Sequence, residues 1–251
     1  MSATERPADW ESVWRGEPFD VEAPAAEART PRWQAQERII RERFGGFSGL
    51  KAIELGAGRG LNGVLYAQRG ADVTLLDKLE LPLRQAGELL QALGLEAQTV
   101  IGDVFDLPSE VYGRFDVSMS FGLCEHFLGE RRRAVVAAHL LPLRSGGIAF
   151  IGVPNRHAPV YRLWKGALSR RGTWSLGTEE PFTAGELAQL ARAAGGEPLE
   201  PEYGSFAASV VNHGVNQLLH KLGRRPLPVP QAKVPLLDRF AYELLLPVVK
   251  R

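Results

Sequence analysis

The segment that most restricts the fold is Glu54-Leu55-Gly56-Ala57-Gly58-Arg59-Gly60, which joins an apolar run, LKAIEL, to the helix-forming NGVLYAQRG. Its glycines let the backbone bend sharply and pass close to a ligand, which a Cβ would prevent. A strand, a glycine turn and a helix in that order predict the first βα unit of an open parallel sheet, whose ligands sit beyond the carboxyl ends of the strands. The rhythm repeats to Ile151. ADVTLLD reads as the second strand and LPLRQAGELLQALG as a helix with leucines at 83, 89, 90 and 93. EAQTVIGD is the third strand and FDVSMSF the fourth. ERRRAVVAAHLLPLRSGG is a helix running into a glycine turn, and GIAFIGVP is the fifth strand.

The flanks are less regular. The first thirty residues are polar, with Trp10 and Trp14, and read as an arm that folds only against another surface, the active site being the candidate. A helix follows with Thr30 as N-cap and Pro31 at its first position, carries Trp33, Ile40 and Phe44, and stops at Gly45-Gly46. Residues 155–181 show no clean period and suit a lid. Thr183 and Glu186 form a capping-box signature for another helix. EPLEPEYG and SFAASVV read as strands that complete the sheet. The proline-rich tail from Asn212 reads as an irregular wrap with a short helix near DRFAYELLL. The expectation is one domain over 1–251, divided into arm and helix (1–46), cofactor-binding core (47–154), lid (155–181) and a C-terminal part of sheet and tail (182–251).

Composition narrows the class of function. With 45% hydrophobic and 24% charged residues and a formal charge of +1, nothing points to a nucleic-acid partner. Arg131-Arg132-Arg133 reads as a solvated helix face. The single cysteine, Cys124, excludes an internal disulfide framework and a cysteine-based zinc site, and the opening MSATERPADW has no apolar signal core, so the expected setting is the cytoplasm. No apolar run approaches the roughly 20 residues that span a bilayer. His213 and His220 find no further ligands, and no metal is expected. The basic, apolar stretches KLGRRPLPVP and LLLPVVKR read as packing segments, with a membrane surface or an apolar substrate as the alternatives.

Two cofactors compete for the glycine turn. Gly58-x-Gly60-x-x-Gly63 satisfies the dinucleotide fingerprint, and Asp77 ends the second strand near the spacing of a ribose-binding acid. Glu54, two positions before the first glycine, instead suits a ligand carrying an ammonium or sulfonium charge and would repel a pyrophosphate. Gly102-Asp103-Val104, closing the third strand, offers an acid and a backbone amide to an adenine edge.

Taken in order and spacing, IELGAGRG, LLD, GDVFDLP, FDVSMSFGLCEHF and LRSGGIAFIGVPN resemble the successive motifs of class I methyltransferases of the small-molecule type, over about Leu50 to Asn155. The resemblance implies an α/β fold with a Rossmann-like, seven-stranded, mostly parallel sheet and helices on both faces, plus an N-terminal helical arm and a lid insertion after the fifth strand. It implies S-adenosyl-L-methionine as cofactor. Glu54, Gly56, Ala57, Gly58 and Gly60 would surround the methionine portion, Asp77 and Lys78 would border the ribose, and Asp103 and Val104 would meet the adenine. Phe121, Glu125 and His126 would border the point of methyl transfer, with His126 as candidate base. Trp14, Glu125, His157, Tyr161 and Trp164 are candidate substrate contacts. The expected reaction is an in-line displacement on the sulfonium methyl by a small planar or partly apolar acceptor. An NAD(P)-dependent oxidoreductase and a non-catalytic cofactor-binding scaffold are the alternatives, and the oligomeric state is open.

Overall fold

The five apolar runs pair side by side in the computed structural model, which describes residues 5, 8–16 and 19–251; the arm's residues 1–4, 6–7 and 17–18 lie outside the described residues. Strands β1 (Lys51–Leu55), β2 (Asp72–Asp77), β3 (Gln98–Ile101), β4 (Phe115–Phe121) and β5 (Leu143–Pro154) are parallel, in the spatial order 3-2-1-4-5. β1 and β2 are buried after their first residue, so they read as continuous apolar runs and not as alternating ones. The chain order reverses at β1, which has β2 on one side and β4 on the other. That reversal opens a crevice beyond the carboxyl ends of both.

Helices cover both faces. On one, α3 (Pro31–Phe44), α4 (Leu61–Ala67) and α5 (Glu80–Ala92) enclose a core in which Trp33 stacks on Phe47 at 5.7 Å and meets Tyr66 edge-on at 5.6 Å. Each such buried aromatic contributes about 2–3 kcal/mol. On the other, α6 (Gly129–Ala138) and α8 (Ala184–Ala193) pack over Ile53, Leu55 and Ile151. The expected caps form: Thr30 Oγ1 accepts from Trp33 N at 3.2 Å, Gly45 takes φ +79°, and Thr183 Oγ1 accepts from Glu186 N at 3.0 Å. Two short helices, α1 (Trp10–Gly16) and α2 (Ala23–Glu27), form within the described part of the arm.

Several expectations are corrected. α6 ends at Ala138, and Arg144-Ser145-Gly146-Gly147 lies inside β5, where Gly146 at φ +77° falls within the register shift against β4. SFAASVV is not a strand. Ser205 caps it by accepting from Ala208 N, and α9 (Phe206–Val210) continues through a π-helical turn at 211–215 into α10 (Asn216–Lys221). Within the stretch without a period, α7 (Pro159–Arg170) starts from a proline at its first turn. In the tail the short helix is α11 (Pro235–Asp238), and ELLLPVVK is a strand, β8 (Glu243–Lys250). β8 runs antiparallel between β5 and β6 (Gly196–Pro198), and the two-residue β7 (Glu202–Tyr203) pairs with its start. Leu244, Leu245, Leu246 and Val248 bury themselves there, which outweighs the proline that argued against a strand, and Pro247 still offers its carbonyl to Leu199 N. Among the described residues no helix is long and apolar enough to cross a membrane.

Candidate functional site

A cleft of about 400 Å³ lies beyond the carboxyl ends of β1 to β4. Its floor comes from the residues that follow each strand: Gly56 after β1, Asp77 to Leu79 at the end of β2, Gly102 to Phe105 after β3, and Gly122, Leu123, His126 and Phe127 after β4. Its roof is the arm, through Glu5, Ala8, Trp10 and Trp14, together with Leu176 and Thr178.

The glycine turn is conformationally demanding. Gly56 and Gly58 hold φ +60° and +54°, and a Cβ would come within 2.8 Å of Leu123 Cδ1 at the first and 2.5 Å of the Trp14 ring at the second. Asp77 ties the turn to β2: Oδ2 accepts from Gly58 N and Oδ1 from Leu79 N, both at 2.9 Å. Each carboxylate oxygen keeps a second lone pair for a ligand hydroxyl. Asp103 Oδ1 accepts from Phe105 N at 2.9 Å, which folds the loop so that Val104 and Phe105 wall the cleft. Lys78 lines it as well.

Glu54 is placed differently from the expectation. It does not line the cleft; its Oε2 accepts from Gly63 N at 2.8 Å beneath the turn. Burial pushes its carboxyl up to about 8, with Glu27 and Asp77 adding to the rise and the Gly63 N–H and Arg32 opposing it. The carboxyl therefore holds a proton at neutral pH and offers no fixed negative charge to a cation. Ala57, Gly58 and Gly60 shape the turn from behind, and Phe121, with the Arg32 guanidinium 4.7 Å from its ring centre, stands outside the lining.

His126 reaches the cleft, edge-on to Trp10 at 4.8 Å. Its Nδ1 lies 2.7 Å from the Thr178 carbonyl, an acceptor only, so Nδ1 carries the proton. Burial lowers its pKa against the pull of the Thr178 and Gly122 carbonyls, leaving a neutral ring. Nε2 faces Glu125 Oε1 at 4.0 Å. Glu125 is buried behind His126 and pushed up to about 8 by burial and by Glu179, itself raised to about 7 by burial. Glu125 Oε2 and Glu179 Oε1 have no hydrogen-bond partner among the described residues. Of the other candidates, Trp14 lies on the cleft. Tyr161 and Trp164 pack with His213 in an aromatic group away from it, and His157 is exposed at the start of α7, so none of these three lines it.

The sequence reading assigned none of Glu5, Phe105, Phe127 and Arg131 to the site. Arg131, read as part of a solvated face, sits 4.5 and 4.8 Å over the rings of Phe105 and Phe127 and pairs with Glu5 at 2.7 Å. Its partner is 126 residues away, and no periodicity carries such a signal. Among the described residues no grouping of His, Cys, Asp and Glu could hold a metal. The chemistry of the cleft fits a nucleoside: two carboxylates on one apolar wall suit a ribose diol and an exocyclic amine, and the volume is that of a small-molecule site.

A family described as a methyltransferase domain matches residues 52–147. Among curated relatives, the ubiquinone biosynthesis O-methyltransferase of Azotobacter vinelandii is 33% identical over 116 residues, 46% of this chain and 49% of that one. Its counterpart from Bordetella avium is 30% identical over 165 residues, 63% of this chain and 67% of that one. The chain spans about half the length of most of the curated relatives it matches. Among solved structures, a 1,6-didemethyltoxoflavin-N1-methyltransferase from Burkholderia thailandensis with bound S-adenosylhomocysteine shares 21% identity at TM-score 0.55, over 96% of this chain and 82% of that one. A magnesium protoporphyrin IX methyltransferase from Synechocystis, also with bound S-adenosylhomocysteine, shares 14% at TM-score 0.61, over 96% and 92%. At these identities the structural likeness speaks for the fold alone.

Proposed function

The chain belongs to the class I S-adenosylmethionine-dependent methyltransferases, and from that premise we propose that it transfers a methyl group from S-adenosyl-L-methionine to a small planar or partly apolar acceptor. The observation that carries the reading is the pair Asp77 and Asp103, one strand apart on the wall of a cleft that begins at the glycine turn. Bound there, the cofactor would supply an electrophilic methyl on a sulfonium centre. Asp77 would hold the ribose hydroxyls with its remaining lone pairs, and Asp103, beside Val104, would take the exocyclic amine of the adenine. Trp10, Trp14 and Phe127 exclude water and orient a flat acceptor. The acceptor's proton would go to His126 Nε2, the ring nitrogen left without a proton by the Nδ1 contact to the Thr178 carbonyl. The names of the curated relatives make a hydroxyl oxygen the first acceptor atom to test. A buried free thiol at Cys124 suits a cytoplasmic setting.

Calorimetric titration with S-adenosylhomocysteine, NAD and NADP tests the cofactor. The expected result is micromolar binding of S-adenosylhomocysteine alone, weakened at least tenfold in Asp103→Ala, whose side chain is exposed and removable without disturbing the core. Binding of NAD in its place selects the oxidoreductase. Binding of S-adenosylhomocysteine with no methyl transfer across phenols, catechols and amines selects the scaffold.

A further inference from the structure

Charge is spread unevenly along the chain, although Arg156 pairs with Glu180 and Glu186, and Lys233 with Glu202. Residues 155–178 carry five Lys and Arg and no acid; residues 203–242 carry five and one acid, Asp238. Asp238 is buried, accepting from Phe206 N and Val234 N, and presents no charge outward. Of the chain's 30 cations and 29 acids, these two segments hold ten and one, so the remainder is net acidic while the whole is nearly neutral. The formal charge of +1 conceals the separation.

The same two segments hold ten of the sixteen large apolar side chains exposed among the described residues. Leu236 is 76% exposed, Leu222 62%, Leu218 59% and, on α7, Leu163 77%. Lys221, Arg224 and Arg225 are interleaved with Leu218, Leu222 and Leu227, and all are exposed. α7 packs on the π turn at 211–215, with Val160 Cγ1 3.7 Å from the place of a Cβ on Gly214, so the two segments adjoin. Both connect at the carboxyl end of β5: one leaves Pro154, and the other leads into Glu243, its partner in β8. That is the end of the sheet at which the cleft opens.

We propose that this basic, leucine-rich face, formed by α7 and residues 215–240, docks the protein on the surface of an anionic lipid bilayer. Exposed leucines among cations suit the interface of a bilayer, where the apolar side chains enter the acyl boundary and the cations meet anionic headgroups. A soluble polyanion would use the cations but leave the leucines in water. Docking in this way turns the cleft end of the sheet toward the membrane, and an apolar acceptor could reach the site from the lipid phase. The inference stands apart from the identity of the cofactor.

The test is co-sedimentation of the full chain with vesicles of phosphatidylcholine alone and of phosphatidylcholine with 30% phosphatidylglycerol. It is run on the native protein and on two double variants, Arg224→Glu with Arg225→Glu and Leu222→Ser with Leu236→Ser. All four positions are exposed, and circular dichroism serves to check that each variant is folded. The expected result is at least tenfold stronger partition to the anionic vesicles, lost in 0.5 M NaCl and reduced at least tenfold by each double variant. Equal partition to both vesicles, no partition, or binding untouched by either variant overturns the proposal. So does loss in the charge variant alone, accompanied by equal heparin binding in the native protein and the leucine variant, which would identify a soluble polyanion.

Discussion

Replacing Glu54 by Gln tests whether the carboxyl beneath the glycine turn holds a proton. The amide oxygen of Gln can still accept from Gly63 N, so the local geometry is retained while the titration is removed. In the unfolded chain the carboxyl ionises near 4.5, and in the folded protein near 8. The folded state binds the proton more tightly, so the stabilisation is complete below about 4.5 and is lost as the pH rises toward 8. Between pH 6 and pH 8 the unfolded state is ionised and the folded state mostly is not. Each pH unit then removes about 1.4 kcal/mol, tapering at the upper end to a loss of about 2 kcal/mol over the interval. Glu125 and Glu179 titrate in a similar range but do so in both proteins, so the difference isolates Glu54. Arg32 keeps its ion pairs with Glu27 and Glu243 in the variant. Urea unfolding at pH 6 and pH 8 should show the native protein losing about 2 kcal/mol more than Glu54→Gln. Parallel losses would mean that Glu54 is ionised in the folded protein and that the placement of its carboxyl is wrong.

Three further outcomes are expected. His126→Asn should lower kcat about 10²-fold or more on a hydroxyl acceptor while S-adenosylhomocysteine affinity, read by calorimetry, changes little; an unchanged kcat would remove His126 from proton transfer. Gly58→Ala places a Cβ against Trp14 at a positive φ, and should weaken S-adenosylhomocysteine binding at least tenfold and cost about 1–2 kcal/mol in thermal unfolding. Arg132→Met leaves the Glu180 carbonyl without its donor, takes from Glu186 and the Pro181 carbonyl one of the two guanidinium groups each of them meets, and removes the guanidinium from the Phe182 ring, so denaturant unfolding should show a loss of about 2 kcal/mol.

The parts of the fold that were legible are those written by local rules. A parallel strand buried on both faces has to be an apolar run, and a helix has to be capped, so β1, β2, β4, the buried end of β5 and the caps at Thr30 and Thr183 could be read directly. β8 could not, because its pairing with β5 joins residues 89 to 101 apart in the chain and Pro247 argues locally against it. SFAASVV was misread for a related reason: Phe206 and the β-branched Val210-Val211 favour a strand, while the cap that decides the matter lies in the Ser205 side chain. At the site, Asp77 and Asp103 were legible as strand-end acids. The burial of Glu54 and the meeting of Arg131 with Glu5 were not, since each depends on where distant segments come to rest.

The two halves of the cleft are held with unequal strength. Its floor is built on the ends of parallel strands and on hydrogen bonds from the backbone N–H groups of Gly58 and Leu79 to the buried Asp77, groups that cannot shift without disturbing the core. The roof, among the described residues, is fastened by the Glu5–Arg131 pair, by Glu5 on Leu128 N, by the Gln85 amide on the Trp14 carbonyl and by the contacts of Trp10 and Trp14. α1 has no fully buried side chain, and the Arg131 side chain of the ion pair is half exposed, so that pair is worth at most about 1 kcal/mol. A ligand that must be enclosed before it reacts needs this asymmetry: the groups that orient it belong to the rigid floor, and the groups that exclude water belong to the part that opens at least cost.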